Sequence, residues 1–287
     1  MKNLFKIEFR KAFDNPRFWT AVSAATVIAV LSAISAISMY TREQQIMGRL
    51  ILASPDNYMN PDLPIYSLFN RWMGQTYNNM AASLFYLLLP AFAVYSYSWS
   101  FFDERQSGYE RNVIVRAGRW NYFIPKYTVV FISGAVTVII PMIANLLLVS
   151  SVLPAVRPDV YYDIYNGMSS GNMGVELFYE HPWLFVLLRL GMAGVCGGLC
   201  AALAMALSFF IHNRFEVLLI PFILLLLIQY SSGMFQAYIA QLEISPLAFI
   251  HGGMAQSRTG IALAYASLFL VISFGVTVWR GGKDDVF

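Results

Sequence analysis

The sequence predicts an all-α fold, a polytopic membrane protein with six transmembrane helices, and three observations carry that expectation. Of the 287 residues, 58% are hydrophobic and only 12% charged, a balance well outside that of soluble domains, and the mean hydropathy is +0.57. Several runs reach the ~20 apolar residues that a helix needs to cross a ~30 Å hydrocarbon core. Lys and Arg are sorted unevenly between the segments that join those runs, so the formal charge of +3 speaks to membrane orientation and not to nucleic acid. The lipid bilayer is the first partner the chain calls for, and a nucleic acid is not expected.

The first element is a basic start, residues 1–17. On a helical wheel Phe5, Phe9, Ala12, Phe13 and Pro16 share one face, flanked by Lys6, Arg10 and Arg17. This pattern describes an amphipathic helix lying in the membrane interface, ended or bent by Pro16; a basic anchor with no further role is the alternative. Six spans follow, near Phe18 to Tyr40, Met80 to Phe102, Tyr127 to Leu153, Leu184 to Phe210, Val217 to Ser232 and Gly260 to Trp279. The first is longer than the ~7–15 residues of a signal-peptide core and follows a charged segment, so it is expected to be retained. Thirteen Lys and Arg fall in the N-terminal segment, the alternate loops and the tail, against five in the opposite, longer loops. By the positive-inside rule both termini are cytoplasmic and the protein is a multi-pass component of the cell membrane.

The connecting segments hold the candidate functional elements of a single domain, residues 1–287. The outer stretches Ser54 to Pro64 and Tyr165 to Gly174 are rich in Asn, Asp, Pro and Gly and read as turns. Residues 103–119, inside the charged stretch Asp103 to Lys126, are too long for a minimal turn. There Tyr109, Val113 and Ala117 fall on one stripe with Gly108 and Gly118 at either side, which suits a short amphipathic helix presented to a protein partner; a merely solvated positive loop is the alternative. Residues 233–259 are apolar for an outer loop. Non-helical backbone at membrane depth must be buried in protein or line a cavity, so a re-entrant hairpin turned near Glu243 to Pro246 is expected there, with a simple extension of the fifth span as the other reading.

Within the spans Arg189 is the one charge, shallow enough to snorkel or to pair with Glu176, Glu180 or Glu243. Gly194 and Gly198, with Ala193, Gly197 and Ala201, make small-residue stripes that let another helix approach closely, inside the chain or in a dimer. Pro90, Pro141 and Pro221 permit kinks. Cys196 and Cys200 share a helix face with no His or second Cys pair to complete a metal site, and His181, His212 and His251 are isolated, so no metal is expected.

The basic start ending in Asn15 to Trp19, the segment Asp103 to Asn112 with Arg119 and Lys126 after it, and Leu242 to Ile250 before the last span together resemble an ABC-2-type transporter permease. That resemblance implies a six-helix subunit of an ABC exporter that pairs with a second permease subunit. It also implies an interfacial helix, here Phe5, Phe9, Arg10 and Phe13. A coupling segment would dock on a separate ABC ATPase, through Asp103, Glu104, Arg105, Gly108, Tyr109, Arg111, Val113 and Arg116. The outer hairpin would hold Glu243 and Pro246. The loop Thr41 to Asn79 is longer than in the shortest members. No G-x-x-x-x-G-K-[ST] phosphate loop is present, so no cofactor is expected on this chain, and ATP and Mg would sit on the partner. An apolar or amphipathic substrate, a peptide, lipid or drug, is expected from the Phe, Met, Tyr and Leu of the spans. A non-transporting scaffold or immunity protein is the alternative, and an intramembrane enzyme is disfavoured because the spans lack paired carboxylates or a Ser/His pair.

Overall fold

A computed structural model describes residues 2–53, 66–76, 79–159, 168, 172–211, 213–238, 245–251 and 258–283. Among them eleven helices and no strand are found: α1 (Lys2–Phe13), α2 (Pro16–Ala53), α3 (Leu68–Arg71), α4 (Met80–Gln106), α5 (Tyr109–Ala117), α6 (Arg119–Ser150), α7 (Val175–Glu180), α8 (Pro182–Leu207), α9 (Arg214–Tyr238), α10 (Pro246–Ile250) and α11 (Thr259–Lys283). Six of these, α2, α4, α6, α8, α9 and α11, are long and apolar enough to cross a membrane. The protein is an all-α, multi-pass membrane protein.

Local chemistry sets the helix boundaries. Pro16 and Pro182 open α2 and α8, where a missing N–H costs nothing and the fixed φ suits the first turn. Asn79 caps α4 by accepting from the amides of Ala81 and Ala82 at 3.0 and 3.2 Å. Gly108 and Gly118 flank α5 with φ of 72° and 86°, a backbone that a side chain would strain, so the two glycines detach α5 from α4 and α6 as a separate short helix.

Several helices extend beyond the expected spans, α2 and α6 furthest. α2 continues past Tyr40 to Ala53, because Arg42 to Ala53 is rich in good helix formers even though it carries the charges of Arg42, Glu43 and Arg49. α6 starts at Arg119 instead of near Tyr127, which brings Lys126 about two turns inside a helix. The expected hairpin at residues 233–259 is described only in part. α9 carries the fifth span on to Tyr238, residues 239–244, Glu243 among them, and 252–257 lie outside the described residues, and Pro246 starts the buried helix α10.

α2, α4, α6 and α8 form the centre of the bundle, and α9 and α11 pack on it from outside. Small residues permit the close crossings. Ala21, Ala25, Ala29, Ala33 and Ala36 make one buried stripe on α2, and Gly197 faces Gly134 so closely that an added Cβ would lie 2.8 Å from the Gly134 carbonyl oxygen. A Cβ on Gly194 would meet Ile139 at 2.6 Å and one on Gly198 would meet Phe131 at 2.8 Å. The glycine stripes of α8 are thus used within the chain, against α6. α1, α5, the α8–α9 turn and the last turn of α11 gather at one end of the bundle, called here the terminal end, while α3, α7 and α10 cap the far end.

Candidate functional site

The densest chemistry lies at the terminal end, where four ionisable side chains from three helices converge. Phe5, Phe9 and Phe13 of α1 stack at 5.5 and 5.4 Å and pack against the core formed by α4, α6 and α8. That seating turns Glu8 inward. Lys126 of α6, fully buried, holds Glu8 Oε2 at 3.0 Å and Glu104 Oε1 of α4 at 2.9 Å. Lys11 closes the square from α1, 3.2 Å from Glu8 Oε1 and 3.2 Å from Glu104 Oε1.

Hydroxyls occupy the remaining positions. Tyr97 donates to Glu8 Oε2 at 2.8 Å and accepts from Lys126 at 3.2 Å, Ser100 accepts from Lys126 at 2.9 Å, and Tyr122 donates to Glu104 Oε2 at 2.7 Å. With two carboxylates and two ammonium groups the cluster is neutral, which is the condition for keeping ions out of water. Burial pushes the Glu8 carboxyl up, but Lys126 and Lys11 outweigh it and hold Glu8 below its ordinary value. Burial pulls the Lys11 ammonium down, yet Glu104 and Glu8 raise it above the usual lysine range. Both therefore stay ionised across neutral pH.

The expected coupling residues surround this cluster. Asp103 lies 3.3 Å from Arg17 and 3.5 Å from Arg214, bridging α2 and α9, and the Arg105 guanidinium stands over the Phe209 ring. Glu104 belongs to the cluster itself. On α5, however, the buried side is Glu110 and Ile114, with Val113 half-buried. Tyr109, 40% exposed, accepts a hydrogen bond from Lys11 at 3.1 Å, its ring beneath the same ammonium at 4.3 Å. The stripe expected to face a partner is turned partly inward, because Ile114 is the residue that fits the core between α4 and α6. Arg111, Asn112, Val115 and Arg116 form the outward face, with Val115 68% exposed. Arg10 points to solvent, paired with Asp14.

At the far end Arg71 of α3 pairs with Glu43 of α2 at 3.7 Å, and the other buried polar groups are held mainly by amides and carbonyls. Residues 66–76 fold into the bundle, with Leu68, Phe69, Trp72 and Met73 buried. Asn145 of α6 accepts from the Met73 amide at 3.0 Å and donates to the Ala29 carbonyl at 2.8 Å, so one amide ties this segment to two spans. Arg189, buried on α8, donates to the Phe249 carbonyl of α10 at 2.6 Å and to Gln75 at 3.4 Å, and stands over the Phe185 ring. Of the acids considered for it, Glu176 and Glu180 are exposed on α7, and Glu243 lies outside the described residues. Burial and the nearby Arg189 push the His251 imidazole down to about 4, with its ring 4.8 Å from Tyr86.

Comparison with family models, with curated proteins and with solved structures finds no match to this chain. Its chemistry is therefore argued from its own geometry. Among the described residues no group of three or more His, Cys, Asp or Glu side chains could hold a metal. Sequence reasoning missed Glu8 and Lys126 as partners. The available signals were a lone acid on the apolar face of a basic helix and a lone lysine followed by unbroken apolar sequence; each asks for a buried counter-ion.

Proposed function

We propose that the protein is the membrane-spanning permease subunit of an ABC exporter, of the ABC-2 type its sequence resembles. Both termini would be cytoplasmic, and the chain would work with a second permease subunit and two ABC ATPase subunits that hold ATP and Mg. The observation that supports this reading is the linkage of α5. A short helix set off by two left-handed glycines presents Val115 between Arg111 and Arg116 outward, while Tyr109 meets Lys11 of the four-ion cluster. A displacement of α5 by a docked ATPase would reach α1, α4 and α6 together, since Lys11, Glu104 and Lys126 belong to those three helices. The spans would then open alternately around a path for an apolar or amphipathic substrate moving outward.

Co-purification tests the reading. The chain is co-expressed with ATPase subunits encoded beside it, and Val115→Asp is expected to put a carboxylate at the apolar centre of the docking face, where it also draws Arg111 away from the partner. The cost is on the order of 3 kcal/mol if that face is desolvated, about a hundredfold in affinity, while insertion is unchanged and Glu176→Gln at the far end does nothing. Retention of the ATPase and of transport by Val115→Asp would remove α5 from the energy path and favour a scaffold. Orientation is checked on intact cells, where an impermeant thiol reagent should label a cysteine at Glu176 and not one at Gln106.

A further inference from the structure

α9 and α11 both pack against α8 and leave part of its surface between them. The result is a groove of about 370 Å3, within the ~300–1,000 Å3 range of ligand clefts. Leu188 and Gly191 of α8, Leu225 of α9, Phe249 of α10, and Leu263 and Phe269 of α11 form its walls, and no charged side chain lines it among the described residues. Gly191 opens the floor, for an added Cβ there would meet no atom within 4 Å.

The dimensions select the occupant. The α8 wall runs from Leu188 to Cys200, roughly 18 Å at 1.5 Å per residue, close to the ~15 Å depth of a single leaflet. A helix from a second copy is about 10 Å across and needs ~30 Å to span, more than a groove of this volume admits. A hydrocarbon chain fits both limits. The mouth supplies a charge: Thr259 lines the groove as the first residue of α11, and Arg258 immediately before it is exposed. We propose that this groove binds one acyl chain of an anionic membrane lipid, with the lipid headgroup held at Arg258. The site stands whether or not the chain serves an exporter.

Native mass spectrometry of the full chain, released from nanodiscs of equal phosphatidylglycerol and phosphatidylcholine, tests it. The wild type should retain one lipid, phosphatidylglycerol over phosphatidylcholine by about fivefold, the preference one interfacial arginine gives. Arg258→Gln should level the two lipids without emptying the groove. Gly191→Trp should lose the retained lipid of either kind while helical circular dichroism and elution volume match the wild type. If Gly191→Trp does not fold, Gly191→Leu, a smaller filling at the same open position, should reduce retention severalfold. Equal retention of the two lipids by the wild type would overturn the proposal. So would undiminished retention in the folded filling variant, or a filling variant that dissociates a dimer and keeps its lipid.

Discussion

At the terminal end, Glu8, Lys11, Glu104 and Lys126 hold one another through full charges at 2.9 to 3.2 Å. At the far end Arg189 is held by a carbonyl and a side-chain amide, and residues 66–76 by Asn145. The two arrangements differ in what breaks them. A cluster of paired ions is indifferent to its surroundings while complete, but removing one member strands its partners in a medium that cannot solvate them. An arginine held by neutral acceptors strands less when it is lost and depends more on the exact position of the backbone it grips. The ionic cluster ties three helices to one another, and the Arg189 anchor ties a cap to a packed core.

The largest expected difference between the ends comes from Lys126→Met. It leaves Glu8 and Glu104 facing each other with only Lys11 between them, and should destabilise the protein by about 3–5 kcal/mol, read by denaturation in mixed micelles. Adding Glu8→Gln to that variant should recover part of the loss. A single-variant cost below ~1 kcal/mol would mean that the cluster is hydrated in the folded protein.

Acid should affect the far end first. His251 sits at about 4 when folded against ~6.5 unfolded, so the unfolded chain takes up the proton earlier. Stability is complete above pH ~6.5 and falls on the order of 3 kcal/mol as the pH drops toward 4. Glu8, held below its ordinary value, contributes stability present above the unfolded carboxyl pKa and lost only as pH falls through the lower folded one. Melting temperature followed from pH 7.5 to 4.5 should decline, and His251→Phe should flatten that decline. An unchanged slope in His251→Phe would assign the acid sensitivity to another group.

Arg189→Met should cost less than loss of Lys126, about 2 kcal/mol, because it strands a carbonyl and an amide instead of two carboxylates. A cost equal to that of Lys126→Met would show that Arg189 too is held by a buried carboxylate. The smallest effect is expected at the terminal end itself. Arg10→Gln breaks a pair whose side chains are 84% and 68% exposed and should change stability by less than ~0.5 kcal/mol, which would separate burial from ion pairing as the source of the Lys126 effect.

The sequence showed the six spans because each is an apolar run of bilayer length, a property of consecutive residues. It placed α5 correctly between Gly108 and Gly118, since glycine at a left-handed position is a local requirement. It did not show which side of α5 is buried: Tyr109, Val113 and Ala117 form as good a stripe on a wheel as Glu110 and Ile114, and only the shape of the gap between α4 and α6 decides. Lys126 read as a loop residue, since hydropathy alone cannot supply the two carboxylates that make a buried lysine tolerable.

What the sequence determined by itself is the fold class, the number of spans and the breaks at Pro16, Gly108 and Gly118, all fixed by hydrophobic length and backbone dihedral limits acting over a few residues. The tertiary structure alone decided that Glu8 meets Lys126 across 118 positions of chain, that Gly197 rests on Gly134, and that Arg189 grips the backbone of α10. Those pairings depend on how long helices cross. Crossing geometry is set by many weak side-chain fits at once, and no local stretch of sequence records it.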